Sequence, residues 1–209
     1  MDKMKQSLCQ QNIEQKLDQW AVENHLIQQG LHQFGYPLYQ AVERGVSSLA
    51  RVIVGQQLHT KVADGIWQKL VCSIGDITAD RLLSVDEAIL RQCGLSPSKI
   101  AYLKDLAMRS VSGLDLFALP EGDDDAVDLL MSVHGIGRWT AENYLIFAEG
   151  RLDIWPAADL GIRIATGYLY QLSYRPDMKE TRGLGDIFRP YRSIMALFLW
   201  HQYRNKNFC

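Results

Sequence analysis

VDLLMSVHGIGRWTAENYLIFAEGRLDIWPAADLGIRI, residues 127–164, is the stretch whose reading decides the fold. Apolar residues recur at helical spacing up to Met131. Gly135-Ile136-Gly137 then turns the chain, and a second apolar helix starts at Arg138–Thr140. Glycines permit positive φ and close approach by another backbone. The unpaired amides of a helix N-terminus carry partial positive charge toward whatever lies beyond them. A G-I-G hairpin leading into a helix can therefore hold a phosphate without a dense basic patch, and Ile136 would plug the hairpin into its own helices. The same pattern also describes an ordinary helix–turn–helix corner. Further along, Asp159 opens a third helix after Trp155-Pro156-Ala157-Ala158, where a carboxylate caps backbone amides.

Outward from this stretch the pattern stays helical. Residues 10–34 place Ile13, Leu17, Trp20, Leu26, Ile27 and Leu31 on buried stripes, ended by Gly35-Tyr36-Pro37. Residues 45–71 read as two apolar helices joined near Gln57. Short helices are expected at 78–84, with Thr78 as cap, and at 86–93, stopped by Gly94. Ser96 and Pro97 start another helix. The acidic run 121–125 suits the positive end of the following helix dipole better than a metal. Residues 173–188 are the loosest stretch, and RPYRSIMALFLWHQYR (189–204) is a strongly apolar helix with basic residues at both ends. The reading is an all-α protein of about 8–11 helices joined by short turns. Residues 45–130 would form one subdomain, and residues 131–209 with the N-terminal helices the other.

Composition excludes several classes. No apolar run is long enough for a membrane span, and the polar N-terminus is neither a signal peptide nor a lipidation motif. A cytosolic or nuclear protein is expected, that is, the nucleoid region of a bacterium or a eukaryotic nucleus. The four cysteines, Cys9, Cys72, Cys93 and Cys209, are scattered, which argues against zinc or an iron–sulfur cluster and for reduced thiols. The net charge is −2, but residues 1–130 hold 12 Lys/Arg against 17 Asp/Glu and residues 131–209 hold 10 against 7. A polyanion should meet the C-terminal part.

Five ordered stretches carry a resemblance: SLARVIVGQQLHTKVA, GLSPSKIAYLKDLA, LLMSVHGIGRWTAENYLIFA, DIWPAADLGI and RPYRSIMALFLWH. Together they resemble the helix-hairpin-helix (HhH-GPD) base-excision DNA glycosylases, most of all the 3-methyladenine DNA glycosylase II branch. The resemblance implies two packed all-α subdomains with a cleft between them that takes DNA and the base. It implies a monomer acting on double-stranded DNA with a damaged base. Asp159 falls on the family's catalytic aspartate, which stabilises positive charge growing on the deoxyribose as the N-glycosidic bond breaks. Gly135, Gly137, Thr140, His134 and Arg138 fall on the DNA-backbone grip.

Target bases must leave the stack to be reached. By the resemblance, Trp139 and Trp200 fall on pocket tryptophans. A cationic alkylpurine on such a face would gain about 0.5–2 kcal/mol. Gln57 stands where the branch inserts a residue into the gap left by the flipped base. Tyr144, Trp155 and Tyr191 are further pocket candidates that serve equally well as core. In strand-cutting relatives a lysine stands at the place of Trp139. A tryptophan forms no Schiff base, so base removal without strand cleavage is expected. The family's hairpin often holds Na+ or K+ on main-chain carbonyls, here those of Met131, Val133 and Ile136. No other cofactor is implied. His134, His59, Ala158 and Asn143 depart from the family pattern and leave the base preference open. A glycosylase for deaminated or mismatched bases, or a non-catalytic DNA-binding module, are the alternatives.

Overall fold

The protein is described here from a computed structural model covering residues 7–205. Cys209 lies outside the described residues. Cys9, Cys72 and Cys93 are free thiols, the last buried. Among the described residues there is no strand, no helix long and apolar enough to cross a membrane, and no cluster of side chains that could hold a metal. The helices are α1 (Gln10–Glu23), α2 (His25–Phe34), α3 (Val46–Gly55), α4 (Thr60–Ile74), α5 (Ala79–Ser84), α6 (Glu87–Gln92), α7 (Pro97–Val111), α8 (Asp123–Met131), α9 (Arg138–Phe147), α10 (Leu160–Leu169), α11 (Met178–Leu184) and α12 (Arg192–Asn205), with a 3-10 turn at Asp186–Phe188.

The chain folds as two compact units. One is Val42–Tyr144; the other combines residues up to Ala41 with those from Leu145 onward. The boundary expected near residue 130 thus falls after Tyr144. Its physical cause is the packing of the hairpin. The Gln56 amide bonds Gly135 and Thr140, and Gly45 N–H donates to the Tyr144 hydroxyl.

In the Val42–Tyr144 unit, α7 packs on α3, α5 and α6, and α3 packs on α4. Local chemistry fixes the helix ends. Thr78, Asp86 and Ser96 each accept a first-turn amide, and Pro97 occupies a position with no ladder amide to lose. The acidic residues Asp123, Asp124 and Asp125 form the first turn of α8, on the positive end of its dipole.

In the other unit α12 is central. Ten of its residues are buried, including Arg192, Ser193 and Gln202, the pattern of a helix covered on nearly all sides. It packs on α1, α2 and α10. A Cβ at Gly30 would sit 1.8 Å from Gln202 Nε2 and 2.9 Å from the Phe198 ring, so α2 approaches α12 through a glycine. The single helical stretch expected at 10–34 is two helices. Asn24 leaves helical geometry, and its side chain accepts the Leu26 and Ile27 amides. Residues 173–188, read as the loosest stretch, hold α11 and the 3-10 turn. Asp177 caps α11, and Gly185 lets the Trp155 ring come close, 2.4 Å from where its Cβ would stand. The helix expected from residue 189 begins at Arg192.

Candidate active site

The Val42–Tyr144 unit carries the hairpin. Gly135 has φ +84°, and a Cβ there would stand 2.2 Å from Cγ of Tyr102, so only glycine fits. Ile136 N–H donates to Val133 O at 3.1 Å, closing the turn, and both side chains are buried. The first α9 amide to join the helix ladder is that of Ala141, which donates to Gly137 O at 3.0 Å. The Arg138, Trp139 and Thr140 amides are therefore end-of-helix donors next to exposed Gly137. From the other side, His134 N–H donates to Asp105 Oδ2 at 2.7 Å, and Arg109 Nε donates to the same oxygen at 2.9 Å. The His134 amide, with help from Arg109, holds the Asp105 carboxyl below the usual carboxylate range. The His134 ring is exposed and meets Tyr102 edge-on, with centroids 4.8 Å apart.

Two of the expected grip residues take other work. The Thr140 hydroxyl is buried and accepts from Gln56 Nε2 at 3.1 Å, so only its main chain suits a phosphate. The Arg138 guanidinium faces three carboxylates, Asp124 at 3.5 Å, Glu142 at 3.6 Å and Asp128 at 4.0 Å. Its charge is largely answered within the unit. Tyr144 is 1% exposed, with its hydroxyl on Gly45 N–H; it is core rather than base pocket. Trp139 is 39% exposed at the start of α9, and the Asn143 amide donates to its carbonyl oxygen. Gln57 is exposed at the α3–α4 turn with φ +56°, and His59 is exposed just beyond it.

The other unit carries Asp159. Its Oδ1 accepts Ile162 N–H at 2.9 Å, the N-cap bond of α10, and also Trp200 Nε1–H at 2.9 Å. The carboxylate plane is thus fixed from two directions. The preceding loop is held to the start of α12. Arg192 Nε and Nη2 donate to the Asp153 carboxylate at 2.8 and 3.1 Å, Ser193 N–H donates to Leu152 O at 2.9 Å, and Ile154 N–H donates to Ser193 Oγ at 2.9 Å. One helix therefore anchors the loop before Asp159 and supplies the indole that bonds it. Trp155 is 2% exposed and donates to Thr181 O at 2.9 Å, so it too is core. Tyr191 lies under Lys16 Nζ, 4.3 Å from the ring centre.

Trp200 is 9% exposed, and its ring stacks on Phe147, with centroids 6.0 Å apart. Phe147 in turn stacks on Tyr39 at 6.2 Å, and the Tyr39 hydroxyl donates to Ile146 O at 2.9 Å. Neither the Trp200–Asp159 bond nor this aromatic row was expected. Tyr39 sits in a segment without periodicity, where no local pattern marks it.

The description "HhH-GPD superfamily base excision DNA repair protein" matches residues 50–190, and the chain belongs to that superfamily. Within it, the chain falls in the 3-methyladenine DNA glycosylase branch. It is 35% identical over 162 residues to DNA-3-methyladenine glycosylase 1 of Schizosaccharomyces pombe, covering 73% of this chain and 69% of that protein. It is 27% identical over 170 residues to DNA-3-methyladenine glycosylase 2 of Escherichia coli, covering 77% and 57%. The solved structure of the S. pombe 3-methyladenine DNA glycosylase in complex with abasic DNA superposes with a TM-score of 0.74 at 31% identity, over 85% of this chain and 90% of that one.

Proposed function

We propose that the protein is a monofunctional DNA glycosylase that hydrolyses the N-glycosidic bond of alkylated purines of the 3-methyladenine and 7-methylguanine type, leaving an abasic site. The observation that carries this reading is Asp159, a carboxylate fixed by Ile162 N–H and Trp200 Nε1–H in a chain of the base-excision superfamily. A DNA-binding module has no use for a carboxylate oriented in this way. A preorganised negative charge stabilises the oxocarbenium-like sugar without reorganisation at the moment of reaction. The Arg138, Trp139 and Thr140 amides at the start of α9 hold a phosphate of the duplex. Gln57 enters the gap left by the flipped base, and the exposed face of Trp139 stacks on a cationic purine.

Trp139 also limits the chemistry. No amine stands at its position, so no covalent sugar intermediate forms. The test is a panel of duplexes bearing alkylated, deaminated or mismatched bases, scored for free base, with borohydride added in parallel. Release of alkylpurines without a trapped adduct is expected. Release of only deaminated or mismatched bases, no release with DNA binding retained, or a trapped adduct would each overturn the reading.

A monovalent cation on the Met131, Val133 and Ile136 carbonyls belongs to the same proposal. Its support is the exposed end of α8 at Met131 and the turn that follows, since helix-end carbonyls suit a hard cation. Replacing Na+ and K+ by tetramethylammonium at constant ionic strength should weaken duplex binding; unchanged binding removes the ion. The protein acts as a monomer, and light scattering should give the mass of one chain with and without DNA.

A further inference from the structure

Gln57, the residue read as the wedge, has an exposed side chain, positive φ and no helix of its own. Its neighbour Gln56 is half-buried. One Nε2 group of Gln56 donates to Gly135 O at 3.0 Å and to the Thr140 hydroxyl at 3.1 Å. Gly135 precedes the end-of-helix amides of Arg138, Trp139 and Thr140, and Thr140 carries the last of them. On the wedge side, Gln56 N–H donates to Ile53 O at 3.2 Å, and Leu58 N–H donates to Gly55 O at 3.2 Å. The Lys99 ammonium donates to Val54 O at 2.7 Å, which closes the end of α3. The α3–α4 turn is thus stiff, and one side chain ties it to the hairpin 79 residues away.

We propose that Gln56 is a positioning residue that couples the phosphate grip to the wedge, so that Gln57 stands at a fixed distance from the gripped phosphate. This rests on the glycosylase reading above. An amide does this well because both of its hydrogens are donated while the side chain remains neutral. Insertion then requires no separate search by the turn, because the register between phosphate and base step is built in.

The test compares Gln56→Met, Gln57→Ala and the double variant. Methionine keeps the length of Gln56 and removes both donors. Three quantities are read: affinity for an undamaged duplex, fluorescence of a 2-aminopurine beside the lesion as a report of unstacking, and single-turnover base release at saturating enzyme. Gln56→Met should lower unstacking and release about tenfold, as expected for two lost hydrogen bonds. It should leave undamaged-duplex affinity nearly unchanged, and it should add nothing in the Gln57→Ala background.

Additive losses in the double variant, or a loss confined to duplex affinity, would overturn the coupling while the glycosylase reading stands. A wild-type protein that releases no damaged base overturns both. Should Gln56→Met not fold, Thr140→Val removes one of the two acceptors and enters the same cycle, with the same non-additivity required.

Discussion

Asp159 combines a negative charge with a fixed hydrogen-bond geometry, and a single substitution can separate the two. It caps α10 through Ile162 N–H, and it accepts Trp200 Nε1–H on the same oxygen. Asparagine is as good a cap as aspartate, and its Oδ1 accepts both donors. Asp159→Asn therefore removes the charge and keeps the geometry. Its stability cost is the lost charge–dipole attraction, about 0.3–1 kcal/mol. Asp159→Ala also loses the cap, typically about 1 kcal/mol. For a chain of 209 residues, that lowers Tm by roughly 2–4 °C. Removing one preorganised electrostatic group from a reaction centre costs about 10²–10³-fold in rate. Single-turnover release of 7-methylguanine from methylated duplex, read beside duplex affinity and Tm, distinguishes charge from geometry. Asn and Ala should lose release alike, and Ala should lose more stability. Near-normal release by Asp159→Asn with intact DNA binding would refute the assignment of the carboxylate to the chemistry.

Trp200→Phe should keep the stack on Phe147 and lose the bond to Asp159. A hydrogen bond to a charged group is worth about 1.5–3 kcal/mol, so base release should fall about 10–100-fold, and unchanged kinetics would show that the indole N–H is idle. Gly135→Ala places a Cβ on the Tyr102 ring at positive φ; αL geometry alone costs about 1–2 kcal/mol, and duplex affinity and Tm should both fall, with partial recovery when Tyr102→Ala is added. The lowered pKa of Asp105 stabilises the hairpin at pH above the ordinary carboxylate value of about 3.9. That contribution disappears as pH falls through the lowered folded value, so protection of the His134 amide from hydrogen exchange should drop in that acid window in the wild type and stay flat in Asp105→Asn.

Helix identity was legible where the sequence carries its own punctuation. Thr78, Ser96-Pro97 and Gly94 mark ends that the structure keeps, because cap chemistry is local. The break at Asn24 was hidden because the apolar period runs through it, and only the Asn24 side chain bonding Leu26 and Ile27 shows the interruption. Residues 173–188 looked loose because α11 is short and contains Gly183, which scores poorly by propensity, and because Gly185, which follows it, is set by its close approach to Trp155 rather than by any local pattern. The site was legible by position and less so by role. Arg138 was placed on the DNA-backbone grip by its position after the hairpin, but the carboxylates that face its guanidinium lie mainly on α8, outside any local pattern. Tyr144 and Trp155 read as pocket or core, and burial decides for core. Of the two adjacent glutamines the sequence singled out Gln57, while the contacts of Gln56 with Gly135 and Thr140 span 79 and 84 residues and leave no periodic trace.

The unit that holds Asp159 is sewn from both ends of the chain, with Val42–Tyr144 lying between them in sequence. During translation α1 and α2 emerge first, but their partner α12 begins only at Arg192. At about 5–20 residues per second, the N-terminal helices wait roughly ten to thirty seconds for it. Until then Asp159 has no Trp200 to bond, and the loop before it has no Arg192 to hold it. The Val42–Tyr144 unit, whose segments are contiguous, is complete well before. The order of synthesis thus assembles the hairpin-bearing unit first and the Asp159 carboxylate last, so a ribosome-bound chain holds a finished hairpin before Asp159 receives its Trp200 bond.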